Sequence, residues 1–149
     1  MSASLHLHLD PVGGIAGDMF VAALLDAWPE LAEGAIGAAR AAGLSGEVVI
    51  EHRPHRDDVL VGSRFLVTCP ERARERADDH VHIHWRELRG QLSKAPLTAS
   101  VRERAIAIFA LLAEAEAGVH GVEVEEATFH EVGARDSIAD IVAAAFLIE

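Results

Sequence analysis

The sequence predicts an α+β or α/β fold, in which a small mixed sheet of about four strands is packed by about four or five helices. Two β-branched runs, at 46–53 and 59–69, are typical of strands, and apolar residues recur at helical spacing over 97–119. The chain has 149 residues, half of them hydrophobic, which is enough to bury a core of its own. We therefore interpret 1–149 as a single domain.

The N-terminal part predicts a strand, a glycine-rich loop and a helix, in that order. Leucine and histidine alternate over 5–9, so the leucines would share one face of a strand. Glycines then concentrate in 11–17, and a helix is predicted near 16–28, where apolar residues return at helical spacing. A second helix near 30–42 would end before Gly43.

The middle of the chain predicts a hairpin followed by a polar connector. Strands near 46–53 and 59–69 would pair in antiparallel fashion through a longer loop. The segment 70–79 carries almost no apolar side chain beyond alanine, so we interpret it as a possible mobile loop. A short helix is predicted from Trp85 to Leu92.

The C-terminal third predicts two helices with a strand between them. The run Ser100–Glu103 matches a capping box and would begin a long helix near 97–119. The apolar stripe predicted for this helix consists of Val101, Ala105, Ile108, Leu112, Ala115 and Val119. A strand near 126–130 and a helix near 136–148 follow.

Charge and cysteine content exclude several classes of protein. Lys and Arg number 13 against 24 Asp and Glu, and the net charge of -11 disfavours nucleic acid as a partner. Cys69 is the only cysteine, which rules out an internal disulfide and suits the cytoplasm. The sequence shows neither a basic start followed by an apolar run nor about 20 consecutive apolar residues, so it predicts no export signal and no membrane span.

Three of the nine histidines stand at alternate positions, at His80, His82 and His84. On an extended backbone their imidazoles would project from one face about 7 Å apart. Imidazole is a ligand for nickel, zinc, copper and iron. A solvated strand whose histidines alternate with core residues is the other interpretation, so the pattern leaves both a metal site and a surface strand open.

The glycine loop is a candidate anion site. Gly13, Gly14 and Gly17 precede a predicted helix, whose first turn could present unpaired N–H groups to an anion. The loop matches neither the dinucleotide fingerprint nor the P-loop, whose lysine is absent here. Asp10 and Asp18 bracket it. The alternative is a tight structural turn in which Asp18 only places a favourable charge in the first helical turn.

The segment 128–142 concentrates four side chains that can bind a metal or move a proton. His130 and Glu131 lie on the predicted strand or turn, and Asp136 and Asp140 are four residues apart on one face of the following helix. The alternative interpretation assigns Asp136 to helix capping and leaves Asp140 in solvent.

Three stretches together resemble the LarC family of nickel-insertion proteins. They are L-D-P-V-G-G-I-A-G-D-M at Leu9–Met19, H-V-H-I-H-W-R-E-L at His80–Leu88, and the segment Ala113–Val142, which ends in F-H-E-V-G-A-R-D-S-I-A-D-I-V. Each motif alone is of modest specificity. Their order and their spread over nearly the whole chain make the set specific.

The resemblance implies insertion of nickel into pyridinium-3,5-bisthiocarboxylic acid mononucleotide, which makes the nickel-pincer cofactor of lactate racemase. Such a nickel chelatase belongs to the lyase class and depends on CTP in this family. The family's chains continue into a C-terminal domain tied to CTP and manganese, neither of which is expected to bind this segment. The chain would thus be the N-terminal portion of a longer protein and incomplete as a catalyst. Expected partners are that domain and lactate racemase pathway proteins, and a homo-oligomer is left open.

The resemblance also assigns roles to individual residues. Nickel would be collected by His80, His82, His84 and His130. The transfer site would consist of His130, Glu131 and Asp136. The mononucleotide would be bound, with its phosphate at the glycine loop, by Asp10, Gly13, Gly14, Gly17 and Asp18. A non-catalytic nickel- or zinc-binding module and a metal-dependent hydrolase are the alternative functions.

Overall fold

The computed structural model describes residues 6–12, 14–44, 48–69, 83–129 and 135–149. Within these ranges the predicted α+β class is confirmed, with five α-helices and four strands. The strands form two separate antiparallel sheets of two strands each, rather than one mixed sheet. The segment predicted to be a mobile loop lies outside the described residues.

The elements follow the predicted order closely. The helices are α1 (Gly17–Ala27), α2 (Ala32–Ala41), α3 (Trp85–Lys94), α4 (Ala99–His120) and α5 (Arg135–Leu147). The strands are β1 (Val49–Arg56), β2 (Val61–Thr68), β3 (Ile83–His84) and β4 (Thr128–Phe129). Short 3₁₀ turns at Pro29–Leu31 and Val124–Glu126 precede α2 and β4. No helix in the described ranges is long and apolar enough to cross a membrane.

The strand predicted over 5–9 is wrong for its described part. Residues 6–9 are irregular and pair with neither sheet. Leu7 and Leu9 remain 40% and 50% exposed. The alternation of leucine and histidine provides one apolar face, but β propensity depends on packing against a partner strand, and none of the described strands lies alongside.

The hairpin β1–β2 is confirmed, in a register that places Val49 opposite Thr68. Compared with the prediction, β1 runs on to Arg56 and β2 begins later, at Val61, so the turn lies at 57–60, where Asp57 closes it. The Asp57 Oδ1 accepts hydrogen bonds from the backbone N–H groups of Val59, at 2.8 Å, and Leu60, at 2.7 Å. This aspartate therefore stabilises a short turn over 57–60 where the sequence had suggested a longer loop.

The second sheet joins two distant parts of the chain. Ile83 of β3 lies opposite Phe129 of β4, and His84 lies opposite Thr128. The Trp85 N–H donates to the carbonyl of Ala127 at 2.9 Å, which continues the pairing into the start of α3. His84, the last histidine of the histidine-rich motif, thereby lies beside β4, which precedes α5 in the chain.

Two hydrophobic clusters meet at α5. The first lies around α3, α4 and α5 and includes Phe109 and Phe129. The second lies around α1, α2, the hairpin and α5 and includes Phe65. Val142 belongs to the first cluster and Ala143 to the second, so two sides of α5 are buried in different cores. This central position brings α5 against α1.

The cap of α4 differs from the prediction. Its N-cap is Thr98, whose Oγ1 accepts a hydrogen bond from the Val101 N–H at 3.3 Å. Ser100 lies inside the first helical turn, so the capping box predicted at Ser100 is wrong. Both positions carry a hydroxyl that can cap a helix, and only the backbone geometry decides which one does.

The predicted apolar stripe of α4 is correct at its start and wrong further along. The buried residues are Val101, Ala105, Phe109, Ala113 and Ala117. Val119, which was assigned to the stripe, is 79% exposed. Because a step of four residues exceeds a full helical turn by about 40°, the buried line winds around α4 as it passes from one packing partner to the next.

Candidate functional site

The start of α1 lies directly against α5. A Cβ atom placed on Gly17 would be 2.9 Å from the Cβ of Asp140 and 3.0 Å from its Oδ2. Real Cβ atoms essentially never approach another atom this closely, so the backbone of Gly17 occupies space that any side chain would need. The last glycine of the glycine loop therefore allows an aspartate of α5 to sit beside the first turn of α1.

Two further aspartates stand in the first turns of these helices. The Asp18 Oδ1 accepts a hydrogen bond from the Met19 N–H at 2.8 Å, and the Asp136 Oδ1 accepts one from the Ser137 N–H at 2.9 Å. Both carboxylates benefit from the positive end of the helix dipole. We call Asp18, Asp136 and Asp140 the aspartate cluster.

The pKa of Asp140 reflects this crowding. Burial, followed by the charges of Asp18 and Asp136, raises the pKa of the Asp140 carboxyl from 3.8 to about 7, although the backbone N–H of Asp18 acts in the opposite direction. Its Oδ1 is buried and has no hydrogen-bond partner among the residues that the structure describes. At neutral pH this carboxyl can therefore hold or release a proton.

An apolar pocket of about 310 Å³ opens beside Asp140. Its walls come from the loop before α1, through Leu9 and Ile15, from Phe20 of α1, and from Ile141 of α5. Apolar walls around a single carboxyl lower the local dielectric constant, which is why burial is the largest cause of the raised pKa.

The loop before α1 contains a tight turn. The Gly14 N–H donates to the carbonyl of Pro11 at 3.1 Å, and the Val12 N–H donates to the carbonyl of Asp10 at 2.8 Å. Gly14 has a φ of 101°, in the left-handed region that favours glycine. Asp10 is exposed. The turn interpretation of this loop therefore holds at Gly14, whatever ligand the loop binds.

His84 lines a different pocket, of about 400 Å³, together with Glu116, His120 and Glu126. The Nδ1 of His84 lies 3.0 Å from the Oγ1 of Thr128. This contact occupies one ring nitrogen, so a metal ion would have to bind His84 through Nε2. The Nε2 of His120 lies 3.3 Å from the Oε2 of Glu116.

The remaining site residues predicted from the sequence lie outside the described residues. They are Gly13, His80, His82, His130 and Glu131. Among the residues that are described, no group of three or more His, Cys, Asp or Glu side chains is arranged to hold a metal ion. The aspartate cluster is therefore a group of interacting charges and not a preformed metal site. Convergence of the histidines on it stays a prediction.

Asp140 is the residue whose importance the sequence did not reveal. Its spacing of four residues from Asp136 was visible, but a polar residue at that position of an amphipathic helix is usually solvated. The signal that could have identified it is Gly17, because a glycine at the first position of a helix suggests close approach of another element.

Comparisons with known proteins point to one family. The family model described as "Nickel insertion protein" matches residues 7–149. A relative from Geobacter sulfurreducens, provisionally named as a nickel insertion protein, is 41% identical over 145 residues, which cover 96% of this chain and 35% of the relative. A relative from Akkermansia muciniphila is named as a pyridinium-3,5-bisthiocarboxylic acid mononucleotide nickel insertion protein; it is 39% identical over 142 residues, covering 94% of this chain and 34% of the relative.

These matches cover very different shares of this chain and of its relatives. Almost the whole chain is matched, yet it spans only about a third of the length of the relatives, at 35% and 34%. The comparison with solved structures gives no match. A family model that covers residues 7–149 is sufficient to assign the family. This chain belongs to the nickel insertion protein family.

Proposed function

We propose that this chain takes part in inserting nickel into pyridinium-3,5-bisthiocarboxylic acid mononucleotide, as a nickel chelatase of the lyase class. The observation that carries the proposal is the family match over residues 7–149, together with a relative from Akkermansia muciniphila whose name gives this reaction. The chain spans about a third of its relatives. We therefore propose that complete insertion requires the rest of such a protein, and that CTP and manganese act at its C-terminal domain.

The aspartate cluster supports the proposal through its position. Asp18 belongs to the motif Leu9–Met19 and Asp136 and Asp140 to the motif Ala113–Val142, and the fold brings the two motifs together. Imidazole nitrogen is a ligand for nickel and carboxylate oxygen is a hard ligand, whereas the sulfur of a thiocarboxylate is soft. Ligands of this kind can collect the metal and still release it to the sulfur atoms of the mononucleotide.

Nickel is the cargo in this proposal. His80, His82 and His84 capture the ion, and His130, Glu131 and Asp136 present it to the two thiocarboxylates. The transfer exchanges nitrogen and oxygen ligands for softer sulfur ligands, which hold nickel more tightly.

Protons must leave the ligands that bind the metal. Asp140 lies beside Asp136 with a pKa of about 7, so it can take up such a proton near neutral pH. A protonated Asp140 cannot take up a further proton, so the rate of insertion should decrease as the pH falls from 8 to 5. A constant rate over this range would contradict the proposal.

We also propose that Asp10, Gly13, Gly14, Gly17 and Asp18 contact the mononucleotide.

The test is nickel transfer itself. The chain is mixed with nickel, the mononucleotide, CTP, manganese and the C-terminal domain of a family member, and the product is detected by mass spectrometry as the metallated mononucleotide. Metallation that requires the chain supports the proposal. Nickel binding without metallation would favour the non-catalytic metal-binding module, and turnover of a phosphoester or amide by the chain alone would favour the metal-dependent hydrolase. Location in the cytoplasm and contact with lactate racemase pathway proteins stay predictions.

A further inference from the structure

A second groove, of about 580 Å³, runs between α1 and the hairpin. One wall is a face of α1 on which Asp18, Ala22 and Asp26 follow at intervals of four residues. The other wall is formed by the consecutive residues 62–66 of β2. Because consecutive strand residues point to opposite faces, a groove lined by all of them runs along the free edge of β2.

The length and volume of the groove suit an elongated small molecule. The face of α1 from Asp18 to Asp26 extends about 12 Å at the rise of an α-helix. The two walls touch near its middle, where the Ser63 Oγ donates a hydrogen bond to the carbonyl of Ala22 at 3.1 Å. Met19 adds a polarizable wall beside Asp18. A volume of about 580 Å³ lies within the usual range of small-molecule sites.

Both walls of the groove carry charged or titratable groups. Asp18 and Asp26 lie on α1, whereas Arg64 and His55 lie on the hairpin together with Asp57. A guanidinium NH2 of Arg64 is 3.0 Å from the Nε2 of His55. In the part of the chain that the structure describes, no ion pair involves Arg64. The hairpin end of the groove therefore offers an exposed cation that can bind an anion.

Asp57 orients the histidine at this end. Its Oδ2 lies 3.3 Å from the Nε2 of His55, while its Oδ1 is held by the backbone N–H groups of Val59 and Leu60. These two N–H groups, followed by the interaction with His55, lower the pKa of the Asp57 carboxyl. The Nε2 of His55 therefore lies between the carboxylate of Asp57 and the guanidinium of Arg64.

This inference rests on the proposed function. We infer that the groove is the binding site for a pyridinium mononucleotide, with the phosphate at Arg64 and His55 and the cationic ring beside Asp18. A guanidinium binds phosphate through paired hydrogen bonds, and a carboxylate attracts a pyridinium cation. Asp18 belongs to both the groove and the aspartate cluster, so a ring beside Asp18 holds its thiocarboxylates close to the proposed transfer site.

The inference moves the phosphate away from the glycine loop, where the sequence had suggested it. Of the described residues proposed to contact the mononucleotide, Asp18 lines the groove and Asp10, Gly14 and Gly17 do not, so the groove replaces the loop as the phosphate site. Gly17 lies against Asp140, and Asp18 and Asp136 stand in the two adjoining helical turns. Three carboxylates at this corner repel a phosphate, even though the N-terminus of α1 attracts anions. At the hairpin end one described groove-lining carboxylate, that of Asp57, stands near Arg64 and His55, so the repulsion is weaker there than at the three-carboxylate corner.

The test uses nicotinic acid mononucleotide, a stable pyridinium mononucleotide, and nicotinic acid riboside, which lacks the phosphate. Their dissociation constants are measured by titration calorimetry at constant ionic strength, with inorganic phosphate as a third ligand. Wild type should bind the mononucleotide more tightly than the riboside or free phosphate. Arg64→Ala should weaken mononucleotide binding by about tenfold or more, the usual size for a lost charge-assisted hydrogen bond, and leave the riboside unaffected.

Arg53→Ala is the matched control. Arg53 is the cross-strand neighbour of Arg64, is exposed, and forms an ion pair with Glu51 at 2.6 Å outside the groove. The Arg53→Ala variant loses the same net charge as Arg64→Ala, so its dissociation constant for the mononucleotide should equal that of wild type. Equal weakening by both substitutions, an equal effect of Arg64→Ala on mononucleotide and riboside, or no mononucleotide binding to wild type would overturn the inference. Tight binding of free phosphate alone would also overturn it.

The two proposals fail separately. If Arg64→Ala loses mononucleotide binding but wild type never metallates the mononucleotide with the complete set of components, the groove stands and the proposed function falls. If wild type metallates the mononucleotide and Arg64→Ala does so with an unchanged KM, the proposed function stands and the groove is wrong. A raised KM with little change in kcat is the result expected if both are right.

Discussion

Gly17 and Asp140 lie so close together that a Cβ on Gly17 would be 2.9 Å from the Cβ of Asp140. The contact joins the start of α1 to α5, and with it the two motifs that carry the aspartate cluster. An alanine at this position cannot be accommodated by rotating a flexible side-chain end, because the atom it meets is a Cβ. One of the two helices has to move.

Gly17→Ala should therefore reduce the free energy of unfolding by about 1–3 kcal/mol, the usual cost of overpacking. The measurement is urea denaturation. Gly37→Ala is the control, because Gly37 lies within α2 with no atom near its would-be Cβ. Replacing a helical glycine with alanine should stabilise the protein by about 0.5–1 kcal/mol. Equal effects of the two substitutions would mean that Gly17 is not in close contact with Asp140.

Asp140 should make stability depend on pH. Its folded-state pKa is about 7, above the ordinary value of 3.8, so folding favours the protonated form. The contribution of Asp140 is complete below about pH 4 and is lost as the pH rises through about 7. Asp140→Asn removes this loss, so at pH 8 the variant should be more stable than wild type by about 1–2 kcal/mol, a value reduced because the carboxyl is partly exposed.

At pH 4 the Asp140→Asn variant and wild type should have nearly equal stability, since both side chains are then neutral. Denaturation curves at pH 4 and pH 8 provide the comparison. Asp58→Asn removes one negative charge from the exposed hairpin turn and should show no such difference between the two pH values. A stability difference that is the same at pH 4 and pH 8 would contradict the raised pKa.

Thr98→Ala should destabilise the protein by about 1 kcal/mol, because the Val101 N–H at the start of α4 loses its hydroxyl acceptor. Ser100→Ala is the matched control. Ser100 lies within the first turn of α4, so its substitution should change the free energy of unfolding by less than about 0.5 kcal/mol. Both values come from chemical denaturation. A larger effect at Ser100 than at Thr98 would restore the capping box predicted from the sequence.

Nickel binding should depend on the histidines outside the described residues. His82→Ala and His130→Ala should each lower the affinity or the stoichiometry in a nickel titration, because each removes an imidazole ligand. His6→Ala, a substitution of an exposed histidine outside the assigned set, is the control and should bind nickel as wild type does. Unchanged stoichiometry and affinity in both His82→Ala and His130→Ala would refute the assigned nickel ligands.

Local patterns were reliable wherever a structural element depends on its own residues. The bounds of α1 and α5 and the pairing of β1 with β2 agree with the prediction, because amphipathic spacing and turn-forming residues act over a few positions. The strand expected near the N-terminus failed for the opposite reason. A strand requires a partner, and the alternation of leucine and histidine cannot show whether one is present.

The candidate site also has a part that local motifs predicted and a part that depends on contacts between distant elements. Motif order was sufficient to indicate nickel insertion, and the family match agrees. The roles assigned to Asp136, Asp18 and the glycine loop follow from the same resemblance and stay predictions. The groove at Arg64 has no sequence signature, because its two walls come from separate elements whose side chains carry no recognisable motif.

The sequence by itself determined the α+β class, the order of helices and strands, and the family. The first two follow from short-range periodicity, and the family follows from the order of the motifs. Only the tertiary structure decided which line of α4 is buried, that β3 pairs with β4, and that Asp140 lies against Gly17 with a pKa near 7. Burial and electrostatic interaction depend on neighbours in space, and residues 17 and 140 become neighbours only when two hydrophobic clusters close on α5.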